Sequence, residues 1–172
     1  MACEAMNFTL KRILKEERPQ RMQGKGYGMP SSHAQFVTFF SLSLSLFLLF
    51  RHVPKAPTSS HTPFSMISRL GLSGLAVASA GLVAWSRIYL NYHTPKQVLV
   101  GCLAGAISAV VWFVFTAMLR KSGLLLWGLD QPLVRLFRLR DLVVEEDLCQ
   151  SGWEQWERKR LSSVETSRKK IR

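Results

Sequence analysis

Two of the chain's four histidines stand where an ionisable side chain meets a greasy one. His33 closes the stretch Pro30-Ser31-Ser32-His33, at the mouth of an apolar run from Ala34 to Phe50. His93 precedes Thr94-Pro95, which opens a second apolar run. In both places a hydroxyl-bearing residue suits the cap of a helix, and Pro95 suits its first turn. Unpaired backbone N–H groups and the positive end of the helix dipole then point at whatever lies in front. The guest this suits is an anion. Three cations could join it, namely Lys11, Arg18 and Arg87, with Ser86 beside the last. On a short helix before Pro19, Lys11 and Arg18 lie seven residues apart, on one face and separated by roughly 10 Å along the axis. Cations and helix dipoles together stabilise the equatorial charge of phosphoryl transfer. A neutral imidazole can act as its nucleophile, and a helix N-terminus favours the neutral form.

Taken singly, none of these residues means much. A histidine before an apolar helix is more often an interfacial residue than a catalyst, and Lys11 and Arg18 alone are ordinary flanking charges. His52 and His61 fall in a loop rich in Pro, Ser and Thr with no Cys or acid nearby to complete a metal site. Significance comes only if the elements between the clusters bring them together.

Those elements are apolar. The 172 residues carry a net charge of +12, but between Ala34 and Leu119 there are five Lys or Arg and no acid, while Arg120–Arg172 holds twelve of the 23 basic residues. Val98–Leu119 is free of charge over 22 residues, enough to span the roughly 30 Å hydrocarbon core as a helix. Its Gly101-Cys102-Leu103-Ala104-Gly105 predicts close approach of another helix. Ala34–Phe50 contains a Ser-Leu alternation compatible with a strand. Flanking aromatics make it apolar on all sides, so a helix is expected, with Ala34, Thr38, Ser41 and Ser45 on one inward face. A third helix is expected over about 67–85, with Gly71, Gly74, Ala78 and Gly81 as its contact face and Arg69 near enough to its end to snorkel. After the last span, Leu133–Arg140 reads as a basic amphipathic segment on the membrane surface, followed by a charged tail. The basicity therefore points to membrane contact, not nucleic acid, for which no base-reading motif is visible. The expected architecture is an all-α polytopic membrane bundle of about three membrane helices. It divides into a membrane-embedded domain over 1–120 and a basic segment and tail over 121–172.

Counting crossings gathers the clusters. The chain enters the membrane after His33, emerges near Arg51, returns, and emerges again at Ser86-Arg87. Lys11, Arg18, His33, Arg87 and His93 then share one side of the membrane.

The motifs K-x6-R-P (Lys11–Pro19), P-S-S-H (Pro30–His33) and S-R-x5-H (Ser86–His93), in this order, resemble the three-part signature of the type-2 phosphatidic acid phosphatase superfamily of lipid phosphatases. "YGMPSSH" and "SRIYLNYHTPKQVLVG" are most similar to its dolichyl diphosphatases of the endoplasmic reticulum. The resemblance covers about residues 11–120. It implies that His93 is the nucleophile and His33 the general acid, and that Lys11, Arg18, Ser31, Ser32, Ser86 and Arg87 hold phosphate. It implies no metal and no cofactor. The substrate implied is a polyprenyl diphosphate lipid, with dolichyl diphosphate hydrolysed to dolichyl monophosphate to recycle the carrier of protein N-glycosylation. Alternatives are a phosphatase for another lipid phosphate, or an inactive, shortened membrane protein that binds lipid.

Three departures stand out. Where the broad family has Asp four residues after the nucleophile, this chain has Gln97, with no carboxylate expected near it, so Gln97 is expected to orient His93. Ser32 replaces a common glycine. Only ten residues precede Lys11, where the family has further membrane helices, so an N-terminally shortened form is expected. The terminal Lys169-Lys170-Ile171-Arg172 resembles a dilysine retrieval signal read in the cytosol, which would put the histidines in the lumen.

Overall fold

The computed structural model describes residues 2–17, 27–52, 64–139, 141, 152–153 and 155–162, and among them all regular structure is helical. Helix α1 is Ala2–Leu14, α2 is Ser32–Leu46 and continues as a π-helical turn over Phe47–Arg51, α3 is Met66–Tyr89, and α4 is Pro95–Lys121. Two short helices, α5 (Leu124–Leu129) and α6 (Pro132–Leu136), follow. Three segments are long and apolar enough to cross a membrane: Ser32–Arg51, Met66–Tyr89 and Pro95–Lys121, with mean hydropathies of 1.6, 1.5 and 2.5. This is a multi-pass membrane protein.

The packing follows membrane logic. Large apolar side chains such as Phe36, Phe40, Leu75, Leu82 and Trp112 lie on the outside. Small residues fill the contacts, with Ala34, Ser41 and Ser45 on α2, Ser73, Ala80 and Ala84 on α3, and Gly101, Gly105 and Ala109 on α4 buried. Lipid gives helices no hydrophobic reason to associate, so close backbone approach and van der Waals contact do the work. Helix α2 is central and packs against α1, α3 and α4. The expected GxxxG contact forms. A Cβ on Gly101 would come within 2.6 Å of the Ser31 carbonyl oxygen, and one on Gly105 would strike the Gln35 carbonyl. These two glycines let α4 lie directly on the backbone of the Ser31–Gln35 segment.

Three expectations need correction. The contact face of α3 is Ser73, Ala80 and Ala84, whereas Gly71, Gly74 and Gly81 face open space and Ala78 is exposed. Helix α1 does not carry Lys11 and Arg18 together, because it ends at Leu14 and Lys15 adopts a left-handed φ of 46°; Arg18 and Pro19 lie outside the described residues. The basic segment, for which no helix was expected, is helical over Pro132–Leu136 and turns at Arg138 with φ 53°, while Arg140 and His61 lie outside the described residues. Arg69, finally, is held by protein: its Nη1 donates to the carbonyls of Leu48 (3.0 Å) and His52 (3.1 Å) at the end of the first span.

Candidate active site

Helix α3 ends in a tight turn that delivers His93 beside Arg87. Asn91 takes a left-handed φ of 56°, and the Arg87 carbonyl accepts from both the Tyr92 (3.0 Å) and His93 (3.3 Å) amides. Arg87 Nε donates to Ser86 Oγ at 3.3 Å, and its guanidinium lies 5.4 Å from the centre of the Tyr92 ring. Ser86 Oγ in turn donates to the Val83 carbonyl at 2.7 Å. Among the described residues Arg87 pairs with no carboxylate.

The start of α4 is a capping box. Thr94 Oγ1 accepts from the Gln97 amide, and Gln97 Oε1 accepts from the Thr94 amide, each at 3.3 Å. Gln97 Oε1 also lies 3.2 Å from His93 Nδ1. The other end of the side chain is equally committed: Gln97 Nε2 donates to the Glu17 carbonyl at 2.8 Å and to Glu16 Oε1 at 3.3 Å. Gln97 is fully buried, at 0% exposure. Flipping its amide would set Nε2 against the Thr94 N–H and Oε1 against two acceptors, so the network fixes which end is oxygen. It follows that His93, 7% exposed, carries its proton on Nδ1.

The Ser31–His33 entry is seated on the same point. Ser31 N donates to the Gln97 carbonyl at 3.1 Å. Ser31 is fully buried and holds the cap position of α2, yet its side chain makes no capping hydrogen bond, and among the described residues Oγ has no partner. The expected capping serine thus holds the cap position without making the cap bond. Ser32 begins α2, half-buried, and His33 is exposed one residue further. His33 lies within reach of the charges of Arg87 on α3 and Lys11 on α1. Beside it opens a cavity of about 340 Å³ lined by Glu4, Asn7, Ser32, His33 and Gln35. At its floor Asn7 Nδ2 donates to Gln35 Oε1 between two buried side chains.

Of the residues singled out from the sequence, Lys11 and Arg87 act on His33 through their charges, and Ser31, His93 and Gln97 are joined by hydrogen bonds. Sequence reasoning missed three participants. Asn7 and Gln35 carried one signal, a glutamine inside an apolar helix. Glu16 carried none, and it overturns the expectation of no carboxylate near Gln97. Among the described residues no three His, Cys, Asp or Glu side chains gather to hold a metal ion.

Comparison with known proteins bears on this geometry. The model of the family described as PAP2 superfamily matches residues 4–121. A protein of Neurospora crassa named "Putative dolichyldiphosphatase" is 48% identical over 218 residues, covering 99% of this chain and 77% of the relative. Human dolichyldiphosphatase 1 is 42% identical over 117 residues, covering 66% of this chain and 48% of the relative. The dolichyldiphosphatase of Saccharomyces cerevisiae is 32% identical over 146 residues, covering 80% and 57%. The chain thus spans about half the length of the human and yeast relatives. No solved structure matches.

Proposed function

The chain belongs to the PAP2 superfamily, and on that premise we propose that it hydrolyses dolichyl diphosphate to dolichyl monophosphate and phosphate through a phosphohistidine on His93. The observation that carries this reading is the tautomer imposed on His93 by the buried Gln97 amide. His93 Nε2 attacks the terminal phosphorus, and the bond from that phosphorus to the bridging oxygen breaks. His33 gives a proton to the departing lipid monophosphate. Water then attacks the phosphohistidine, His33 takes its proton, and phosphate and free His93 result. Arg87, Lys11 and Arg18 hold the phosphate oxygens, with Ser86 alongside. Ser32 lies at the N-terminus of α2, and the unpartnered hydroxyl of Ser31 supplies a donor.

A diphosphate suits this site because its leaving group is itself a phosphate with a second pKa of about 6, which needs less protonation than an alkoxide. The proteins most similar over these residues are named dolichyldiphosphatases. Residues 1–120 form the catalytic membrane domain and 121–172 a basic segment and tail. The site faces the lumen of the endoplasmic reticulum and the tail the cytosol. In support, fifteen of the 23 Lys and Arg lie on the side away from the site, and the tail ends in a dilysine-like sequence. The activity serves recycling of the lipid carrier of protein N-glycosylation.

The test is incubation of purified protein with dolichyl diphosphate, phosphatidate and a sphingoid phosphate. Release of phosphate from the diphosphate, with an acid-labile phosphorylated intermediate on His93, is expected. Preference for either monoester would reassign the substrate, and no turnover of any lipid phosphate would defeat the enzymatic reading.

A further inference from the structure

The oxygen that faces His93 belongs to a neutral amide, which stabilises a developing imidazolium less than a carboxylate does. The structure supplies the missing charge one bond further on. Lys15 turns the chain out of α1, so that residues 16 and 17 run against the first turn of α4. The Glu16 carbonyl is fixed by the Gly28 amide at 2.7 Å. Its carboxylate spans two positions of α4, accepting from Gln97 Nε2 through Oε1 at 3.3 Å and from Lys96 Nζ through Oε2 at 3.1 Å. The sequence His93 Nδ1–H, Gln97 Oε1, Gln97 Nε2–H, Glu16 Oε1 is therefore a continuous run of hydrogen bonds from imidazole to carboxylate.

We infer that Glu16 is a positioning residue for His93, acting through the Gln97 amide; the inference rests on the phosphohistidine reading above for its effect on turnover. The negative charge at Nε2 polarises the amide and makes Oε1 a stronger acceptor. When Nε2 of His93 bonds phosphorus, the ring becomes cationic with its proton still on Nδ1, and the polarised amide holds that cation. Glu16 also anchors the segment leading to Arg18 onto α4. Its side chain thus couples the orientation of the nucleophile to the position of the chain as it leaves α1.

A staple between two segments would show the same contacts, so the test separates charge from attachment. Glu16→Gln retains an oxygen that can accept from Gln97 Nε2 and removes only the charge. With the full chain in detergent and histidine labelled with nitrogen-15, the Nδ1–H proton resonance of His93 is expected to move upfield in Glu16→Gln. On dolichyl diphosphate kcat is expected to fall about tenfold with KM little changed, and Glu16→Asp to recover most of it. An unmoved resonance overturns the inference whether or not the protein turns over lipid, and an unchanged kcat overturns it for catalysis. A shifted resonance in a protein that hydrolyses no lipid phosphate upholds the coupling and sinks the functional reading instead. Should Glu16→Gln unfold the protein, Lys96→Met at an exposed position gives the complementary measurement. Freed of its cation, Glu16 should move the same resonance downfield, and no movement there refutes the coupling.

Discussion

The two ends of the membrane bundle use arginine in opposite ways. At the end away from the site, helices α2 and α4 finish, and their last carbonyls are the negative ends of dipoles. Arg69 donates to Leu48 and His52, and Arg51 donates to the Phe113 carbonyl at 2.9 Å and to Thr116 Oγ1 at 2.9 Å while stacking on the Phe113 ring. Arg120 is paired with Asp141 through contacts of 3.0 to 3.1 Å. Positive charge there is matched by what the fold already offers. At the other end α2 and α4 begin, so two positive dipole ends lie on the side of Arg87, which among the described residues binds a hydroxyl and an aromatic face and no carboxylate. One end closes a structure. The other leaves positive potential for an anion to complete.

That contrast can be broken by experiment. The largest effect belongs to His93→Ala, which should lower turnover of dolichyl diphosphate by more than about 10³-fold and remove the phosphorylated intermediate. Next comes the arginine comparison itself. Arg87→Ala should cost about 1.5–3 kcal/mol in kcat/KM, roughly tenfold to a hundredfold, with little change in melting temperature. Arg69→Ala should do the reverse, destabilising the fold by about 1–3 kcal/mol through orphaned carbonyls while kcat stays near wild type. Equal effects of the two on both readouts would erase the distinction. His33→Ala should slow a lipid monoester more than a diphosphate, because the alkoxide needs the proton more; equal losses would remove His33 from that role.

The smallest and sharpest test concerns glycine. Gly105→Ala drives a methyl group into the Gln35 backbone and should cost about 1–3 kcal/mol in thermal stability. Gly81→Ala meets nothing within 4 Å and should be neutral or slightly stabilising.

Much of this was readable in the chain itself. The three spans, the GxxxG contact and the shared side of His33, Arg87 and His93 follow from hydropathy, spacing and a count of crossings. The packing face of α3 did not, because that helix carries small residues on two stripes, and periodicity cannot say which one meets α2. Nor did the end of α1. Lys15-Glu16-Glu17 are acceptable helix formers, yet the helix stops at Leu14, and the residues that leave it bond to Gln97 across some 80 positions of sequence. Tertiary hydrogen bonds to a buried amide outweigh a propensity difference of a few tenths of a kcal/mol per residue.

By itself the sequence determined an all-α membrane bundle with imidazoles and cations at one end, since chain length, charge placement and helix periodicity are local properties. Only the folded molecule decided which nitrogen of His93 carries its proton and which carboxylate stands behind Gln97. Those depend on distances between segments far apart in the chain, and a hydrogen bond exists only where such segments arrive within about 3 Å of each other.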